Sequence, residues 1–319
     1  MDVMRGLKRR AGAVPWRIAS DLAQVRPIHS ARDRHYHTAL DRYRPQLPDL
    51  APWQSEIVDT VARQGVAQAD LSALALSGAG RLLQQATALA DVWAEPLREQ
   101  ARSGVQFLQV PAADIAAHPD LYRFGLQDAL LDLVETYIGL PVAYDGVILQ
   151  YTVADGRAVS TRKWHRDRED RRMIKLAVYL TDVDAESGPF ELVPVAEPLS
   201  YETGPRDLFY LRDADEVMRD GRILGAEPIA CTGPAGTAVF ADTARFFHRG
   251  KPATAQDRAA LFFSYFARVP QRPYFCHRSG LSHREIVAMT EDLSPRQRAA
   301  ALWRQGLPLT WRLVPPSRV

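Results

Sequence analysis

The sequence predicts an α+β fold, with a β core of sandwich or small-barrel type and helices on both sides of it in the chain. Three observations predict it. From about 53 to 140 apolar residues recur at helical spacing; from 141 to 270 short β-rich runs are separated by Gly, Pro and Asp; beyond 271 short helical patterns return. A helix is expected in WQSEIVDTVARQG (53–65), whose apolar positions stop at a glycine, and another over 80–101, where no proline precedes Pro96. A third is expected over 119–139, closed by Gly139 and then Pro141. VAYDGVILQYTV, MIKLAVYLTDV, GPFELVPV, GTAVFAD and AALFFSYFARV read as strands, and SHREIVAM and SPRQRAAALWRQG as the later helices. There is no internal repeat. The expected organisation is a basic, irregular segment 1–45, a helical part 46–140, a β core 141–270 and a helical extension 271–319, forming one catalytic domain.

The chain has 319 residues, 46% apolar and 24% charged, proportions that allow a core and exclude a disordered, collagen-like or coiled-coil protein. Two cysteines, Cys231 and Cys276, cannot build a disulfide framework and lack CxxC spacing, so a reducing compartment is expected. No apolar run approaches about eighteen residues, so no transmembrane segment is expected. The start, MDVMRGLKRRAGAVPW, has no apolar stretch of the secretory kind, and the expected location is the cytoplasm. Residues 1–37 hold eight Lys or Arg against three Asp, which leaves the rest of the chain net negative. Such a leader can attract anionic lipid or nucleic acid, or can be a solvated terminus.

The residues that carry chemistry begin at Trp164-His165-Arg166-Asp167. On an extended backbone His165 and Asp167 point to the same side, so an imidazole and a carboxylate can share one metal and leave its far hemisphere open. A third ligand must come from elsewhere, and His248 follows a β-rich run 83 residues later. Two histidines and a carboxylate with open positions are the ligand set of a non-haem Fe(II) oxygenase. Arg258, ten residues beyond His248, is placed to pair with a carboxylate; the competing reading is a surface salt bridge.

WHRDREDRRMIKLAVYLTDVDAESGPFELVP, followed by GPAGTAVFADTARFFHRGKPATAQDRAALFFSYF, resembles the phytanoyl-CoA dioxygenase family of Fe(II)/2-oxoglutarate oxygenases over roughly 141–270. The resemblance implies a double-stranded β-helix (jelly-roll, cupin-like) core flanked by N-terminal and C-terminal helices. It implies His165, Asp167 and His248 as the catalytic iron ligands and Arg258 as the residue that binds the distal carboxylate of 2-oxoglutarate. Lys175 is a further cofactor-binding candidate: it shares one strand face with Ala177 and Tyr179, opposite the aliphatic Ile174, Leu176, Val178 and Leu180. If that face is the interior, its ammonium needs an anion, which 2-oxoglutarate or an anionic substrate could supply; otherwise the face is solvent. Tyr151 and Gln150 are candidates for cosubstrate contacts or for ordinary packing. The chain departs from the family after its GPF turn, reading VPVAEP (193–198) where many members have V-P-G-S-H, which implies a distinct substrate. Asp167 stands where halogenating relatives lack a carboxylate, which argues against halogenation.

The activity implied is oxidation, by default hydroxylation, of an unactivated C–H bond in a small molecule. Fe(II) and O₂ act together, with decarboxylation of 2-oxoglutarate to succinate and CO₂. Arg157, Arg162, Lys163, Arg166, Arg168, Arg171 and Arg172 crowd the HxD among Asp155, Asp167, Glu169 and Asp170. They would attract an anionic or carrier-linked substrate, or form an internally paired loop. Trp164, Phe246 and Phe247 flank the ligands as barrel packing or pocket lining. Three alternatives stand beside this reading. One is a nucleic-acid demethylase of the same superfamily, disfavoured because Ser264, not Arg, lies six residues after Arg258; no nucleic-acid partner is expected. The others are a non-catalytic jelly-roll binding protein and a different metal, Zn(II) or Mn(II), in the same ligands.

Overall fold

The computed structural model describes residues 18, 19, 22, 25–195 and 226–315. The leader up to residue 17 and the VPVAEP segment from 196 onward lie outside them. The irregular character expected for 1–45 does not hold in the described part, where Arg26–Tyr43 forms helix α1. A proline in its first turn presets the backbone, and no further Pro or Gly interrupts it before Pro45. The helix buries no residue fully; polar side chains tie it down instead, Arg32 on the Gln271 carbonyl, Asp33 on Arg171 and Tyr43 on Glu135. An apolar stripe is therefore missing, which is why the periodicity concealed it.

Helix α2 (Pro52–Gln64) ends at Gly65 in the left-handed region, and α3 (Ala79–Arg102) carries Pro96 in its interior. The single helix expected over 119–139 is two, α5 (Pro119–Phe124) and α6 (Asp128–Ile138), after a short α4 (Ala112–Ala117). The break is enforced at Gly125, where a Cβ would sit 2.6 Å from the Tyr144 hydroxyl and whose carbonyl accepts a 2.8 Å hydrogen bond from Tyr265.

Among the described residues nine strands form two antiparallel sheets: β1 (Val66–Asp70), β2 (Leu108–Gln109), β3 (Val142–Thr152), β4 (Ile174–Tyr179), β5 (Phe190–Leu192), β6 (Ile229–Cys231), β7 (Thr237–Ala241), β8 (His248–Gly250) and β9 (Arg258–Ala267). The large sheet runs β1-β7-β4-β9-β3-β2 and the small one β6-β5-β8. A bridge between His165 and His248 extends the small sheet beyond β8. From β3 the chain visits large sheet, His165 segment, large sheet, small sheet twice, large, small, large. This alternation is the double-stranded β-helix, a jelly-roll in which neither sheet follows chain order throughout. Strands β1, β2 and β6 had no counterpart in the sequence reading; β2 and β6 are two and three residues long, and β1 (VAQAD) lacks a strand pattern.

Alternation along β4 and β9 separates two cores. Ile174, Leu176, Val178, Leu261, Phe263 and Tyr265 face α2 to α6, packing with Leu82, Leu89, Leu97, Leu130 and Val134. Ala177, Tyr179, Val239, Ala241 and Ala260 face the small sheet, against Phe190, Leu192 and Cys231. Tyr179 braces this gap, its hydroxyl donating to the Cys231 carbonyl at 2.7 Å and accepting from Phe190 N–H at 3.1 Å. Beyond β9, α7 (His283–Met289), α8 (Pro295–Ala301) and α9 (Leu309–Arg312) follow, with Trp303 seated edge-on against Phe266. No helix among the described residues is long and apolar enough to cross a membrane.

Candidate metal centre

His165 and His248 face each other across the bridge, each N–H donating to the other's carbonyl at 3.0 and 2.9 Å. Directly opposed residues of an antiparallel pair project to one side, so the imidazoles lie together, ring centroids 4.3 Å apart. Two residues on, Asp167 is held by its own N–H on the Thr243 carbonyl at 2.7 Å and returns to the same side. Donor atoms of His165, Asp167 and His248 all fall within 4.8 Å of one another, and His248 Nε2 lies 3.8 Å from Asp167 Oδ2.

The ring orientations suit metal ligation. His165 Nδ1 is 2.8 Å from the Lys163 carbonyl and His248 Nδ1 is 3.2 Å from the Phe246 carbonyl. A carbonyl only accepts, so the proton sits on Nδ1 and the Nε2 lone pair of each ring is left for a metal. Burial pushes both imidazoles below the ordinary histidine range, His248 far below it with His165 adding to the effect. Burial alone would raise the Asp167 carboxyl, but the cations beside it, Arg278 first and then Lys175, outweigh it and hold it well below the carboxylate range. Two neutral imidazoles and an anionic carboxylate are the protonation states that metal binding requires.

Both oxygens of Asp167 meet cations. Oδ1 accepts from Arg278 Nη2 at 2.8 Å, and Oδ2 lies against the Lys175 ammonium. Arg278 also grips Glu169, and its backbone N–H donates to Asp145 at 3.0 Å. The interior reading of the Lys175 face therefore holds, but the anion expected beside it, a cosubstrate or substrate, is within the described structure the Asp167 carboxylate itself. Arg278 escaped the sequence reading, and Glu169 entered it only as one acid of the mixed-charge loop. Glu169 continues the alternation 165, 167, 169, which could have flagged it; Arg278, 111 residues beyond Asp167, sends no local signal.

Arg258 is 3% exposed and lies on the inner face, paired in register with Thr152 of β3. It donates to the Gly188 carbonyl and, at 3.3 Å, to Thr152 Oγ1. A Cβ at Gly250 would come within 3.1 Å of its Nη2, so the glycine two residues past His248 keeps room for the guanidinium. Among the described residues no acidic side chain pairs with Arg258, and the surface salt bridge considered for it is absent there. Tyr151 is not brought to the site. It faces the helices, its hydroxyl donating to Asp257 at 2.9 Å beneath Arg98, because it lies one residue out of phase with Thr152 and Gln150. The mixed-charge loop pairs internally through Arg157 and Arg162 on Asp155, and it is tied to flanking helices by Arg171 on Asp33 and Arg172 on the Tyr137 carbonyl. Trp164 and Phe247 pack with Val193, and Phe246 joins the core between the sheets.

No protein-family model matches the chain, and no curated protein matches it in sequence. Solved structures are similar to it in fold. EctD from S. alaskensis with bound Fe is 17% identical over 69% of this chain and 77% of that one, with a TM-score of 0.48. SnoK, a non-heme alpha ketoglutarate dependent carbocyclase from nogalamycin biosynthesis, is 17% identical over 69% and 86%, TM-score 0.48. HygX from Streptomyces hygroscopicus, with nickel and 2-oxoglutarate bound, is 16% identical over 69% and 88%, TM-score 0.43.

Proposed function

We propose that this chain is an Fe(II)/2-oxoglutarate-dependent oxygenase that oxidises, by default hydroxylates, an unactivated C–H bond of a small molecule, as the phytanoyl-CoA dioxygenase resemblance implies. The observation that carries the reading is the His165–Asp167–His248 cluster, with donor atoms within 4.8 Å of one another and both Nδ1 atoms engaged by carbonyls. These residues would hold the iron. When bound, Fe(II) with 2-oxoglutarate and O₂ supplies oxidative decarboxylation to succinate and CO₂ and removal of hydrogen from carbon.

The chain's own residues bind, orient and exclude water. Arg258 supports the cosubstrate: a buried guanidinium with no carboxylate partner among the described residues favours an anionic ligand, and a distal carboxylate meets that need. Burial lowers its pKa and the nearby Arg162 adds to that effect, while the Tyr179 hydroxyl opposes it, so an anion beside Arg258 would be electrostatically welcome. Ala177, Ala260 and the half-buried Ile148 and Phe262 share the inner face between Lys175 and Arg258 and give an apolar wall that keeps water from the reacting carbon. Gln150, half-buried on the same face, is the one polar side chain of β3 there apart from Thr152.

The test is an anaerobic titration of the protein with Fe(II) and 2-oxoglutarate, following the visible charge-transfer band of the chelate. The band is expected in wild type and lost in His165→Ala, Asp167→Ala and His248→Ala. Arg258→Ala is expected to bind iron but to need about 10–100-fold more 2-oxoglutarate, the loss typical of a buried charged contact. Iron binding without the band would remove the cosubstrate assignment, and binding of neither would sink the oxygenase reading.

A further inference from the structure

We infer that Arg278, brought in by the C-terminal segment, is a positioning residue for the metal centre: it claims Oδ1 of Asp167 and so presents Oδ2 alone, beside His248 Nε2, as the carboxylate ligand. The inference rests on the metal-centre reading above. A carboxylate turns easily about its last side-chain bond, a broad and roughly two-fold torsion, so an untethered Asp167 could offer either oxygen or both. Arg278 removes that freedom. Its Nη2 donates to Oδ1 at 2.8 Å, while the same guanidinium is gripped by Glu169 and its backbone N–H is pinned to Asp145 of β3 at 3.0 Å. Glu169 is itself buried and fixed by the Arg168 N–H at 2.8 Å. The clamp thus ties the ligand carboxylate to β3, to the HxD segment and to the C-terminal segment together. Oδ2, 3.8 Å from His248 Nε2, is the oxygen turned toward that histidine, and the Lys175 ammonium lies against it as well. One-oxygen ligation by Asp167 would use fewer positions of a bound metal than two-oxygen ligation and so would leave more of them for other ligands.

The experiment is a Co(II) titration of the full chain, read by visible d–d absorption, with the band envelope compared at saturation. Arg278→Met is expected to bind Co(II) about 10–100-fold more weakly, the usual cost of removing a residue that orients a metal ligand, and to show a shifted envelope even when saturated. Glu169→Gln, which loosens the other end of the clamp, is expected to shift the envelope in the same direction. Arg278→Lys should recover part of the affinity, since an ammonium can meet Oδ1 but cannot span both carboxylates. If Arg278→Met does not fold, as judged by far-UV circular dichroism, Glu169→Gln and Arg278→Lys carry the test. Unchanged or tighter Co(II) binding with an unaltered envelope would overturn the inference, because the guanidinium would then be only a nearby charge. Wild-type protein that binds no Co(II) would overturn the metal centre as well; wild-type binding with indifference to Arg278 would sink the inference alone.

Discussion

Lys175 and Arg278 contact the same carboxylate and are expected to act on it with opposite signs. Under the proposed ligation Arg278 would occupy the oxygen not offered to the metal, whereas Lys175 lies on Oδ2, the oxygen 3.8 Å from His248 Nε2. An ammonium and a divalent cation compete for that atom. A contact of unit charges is worth up to ~4 kcal/mol at an effective dielectric near 20, and desolvation offsets much of it, so Lys175→Met should tighten Co(II) or Fe(II) binding roughly tenfold. Isothermal titration would show it, and weaker binding would mean that Lys175 organises Asp167 instead of competing for it. Asp145 offers a pH-dependent counterpart. Burial lifts its carboxyl to about 7, the Arg278 N–H opposing this only in part. The folded chain therefore holds that proton more tightly than the unfolded chain does. The stability it contributes is full below about pH 4 and is lost as the pH rises through about 7. At 1.36 kcal/mol per pH unit, Asp145→Asn should flatten this loss by up to ~4 kcal/mol, measured by urea unfolding at pH 4.5 and 7.5. Parallel curves for variant and wild type would contradict it.

At the scale of elements, the end of α2 and the metal centre are coupled through one ring. Gly65 has φ +85° and a Cβ there would lie 2.6 Å from Cγ of Phe246, whose carbonyl positions His248 Nδ1. Gly65→Ala meets both a left-handed backbone and an occupied space, so it should cost about 2–4 kcal/mol and also disturb metal binding. Thermal unfolding and the Co(II) spectrum together check this; a destabilised protein with an unchanged spectrum would separate the helix end from the site. Tyr179 links elements differently, by two hydrogen bonds across the gap between the sheets. The two faces of β4 thus carry different functions, a packed helix-side core and an inner wall, as the alternation in MIKLAVYLT anticipated.

For the whole molecule, the C-terminal segment is part of the core. Trp303 and Leu307 pack with Ala143, Met173, Phe266 and Cys276, and this placement carries Arg278 to Asp167. Trp303→Ala should destabilise the protein by about 3–5 kcal/mol, whereas Leu309→Ala, at a side chain 71% exposed, should stay within ~0.5 kcal/mol. Denaturant midpoints of the two variants test the contrast, and a mild effect at Trp303 would return residues 271–319 to the role of a peripheral extension. Truncation before 271 would remove both the packing and the clamp.

A β core of sandwich or barrel type, the helices before and after it, and the shared side of His165 and Asp167 were legible in the chain because each has a local cause, whereas the jelly-roll order and His248 as their companion were implied only by the family resemblance. Alternation sets strand faces, i and i+2 share a side, and β-rich runs are punctuated by turn residues. Helix α1 was hidden because polar ties hold it, and β1, β2 and β6 because short strands carry too little pattern. Tyr151 was misplaced by one step of alternation, which moves a side chain to the opposite face. What only the tertiary structure decided was the identity of partners: Asp167 for Lys175, no carboxylate among the described residues for Arg258, and Arg278 reaching back 111 residues to the HxD. Spacing determines the direction in which a side chain leaves its own backbone, whereas the charge it meets there is set by segments that only the folded chain brings alongside.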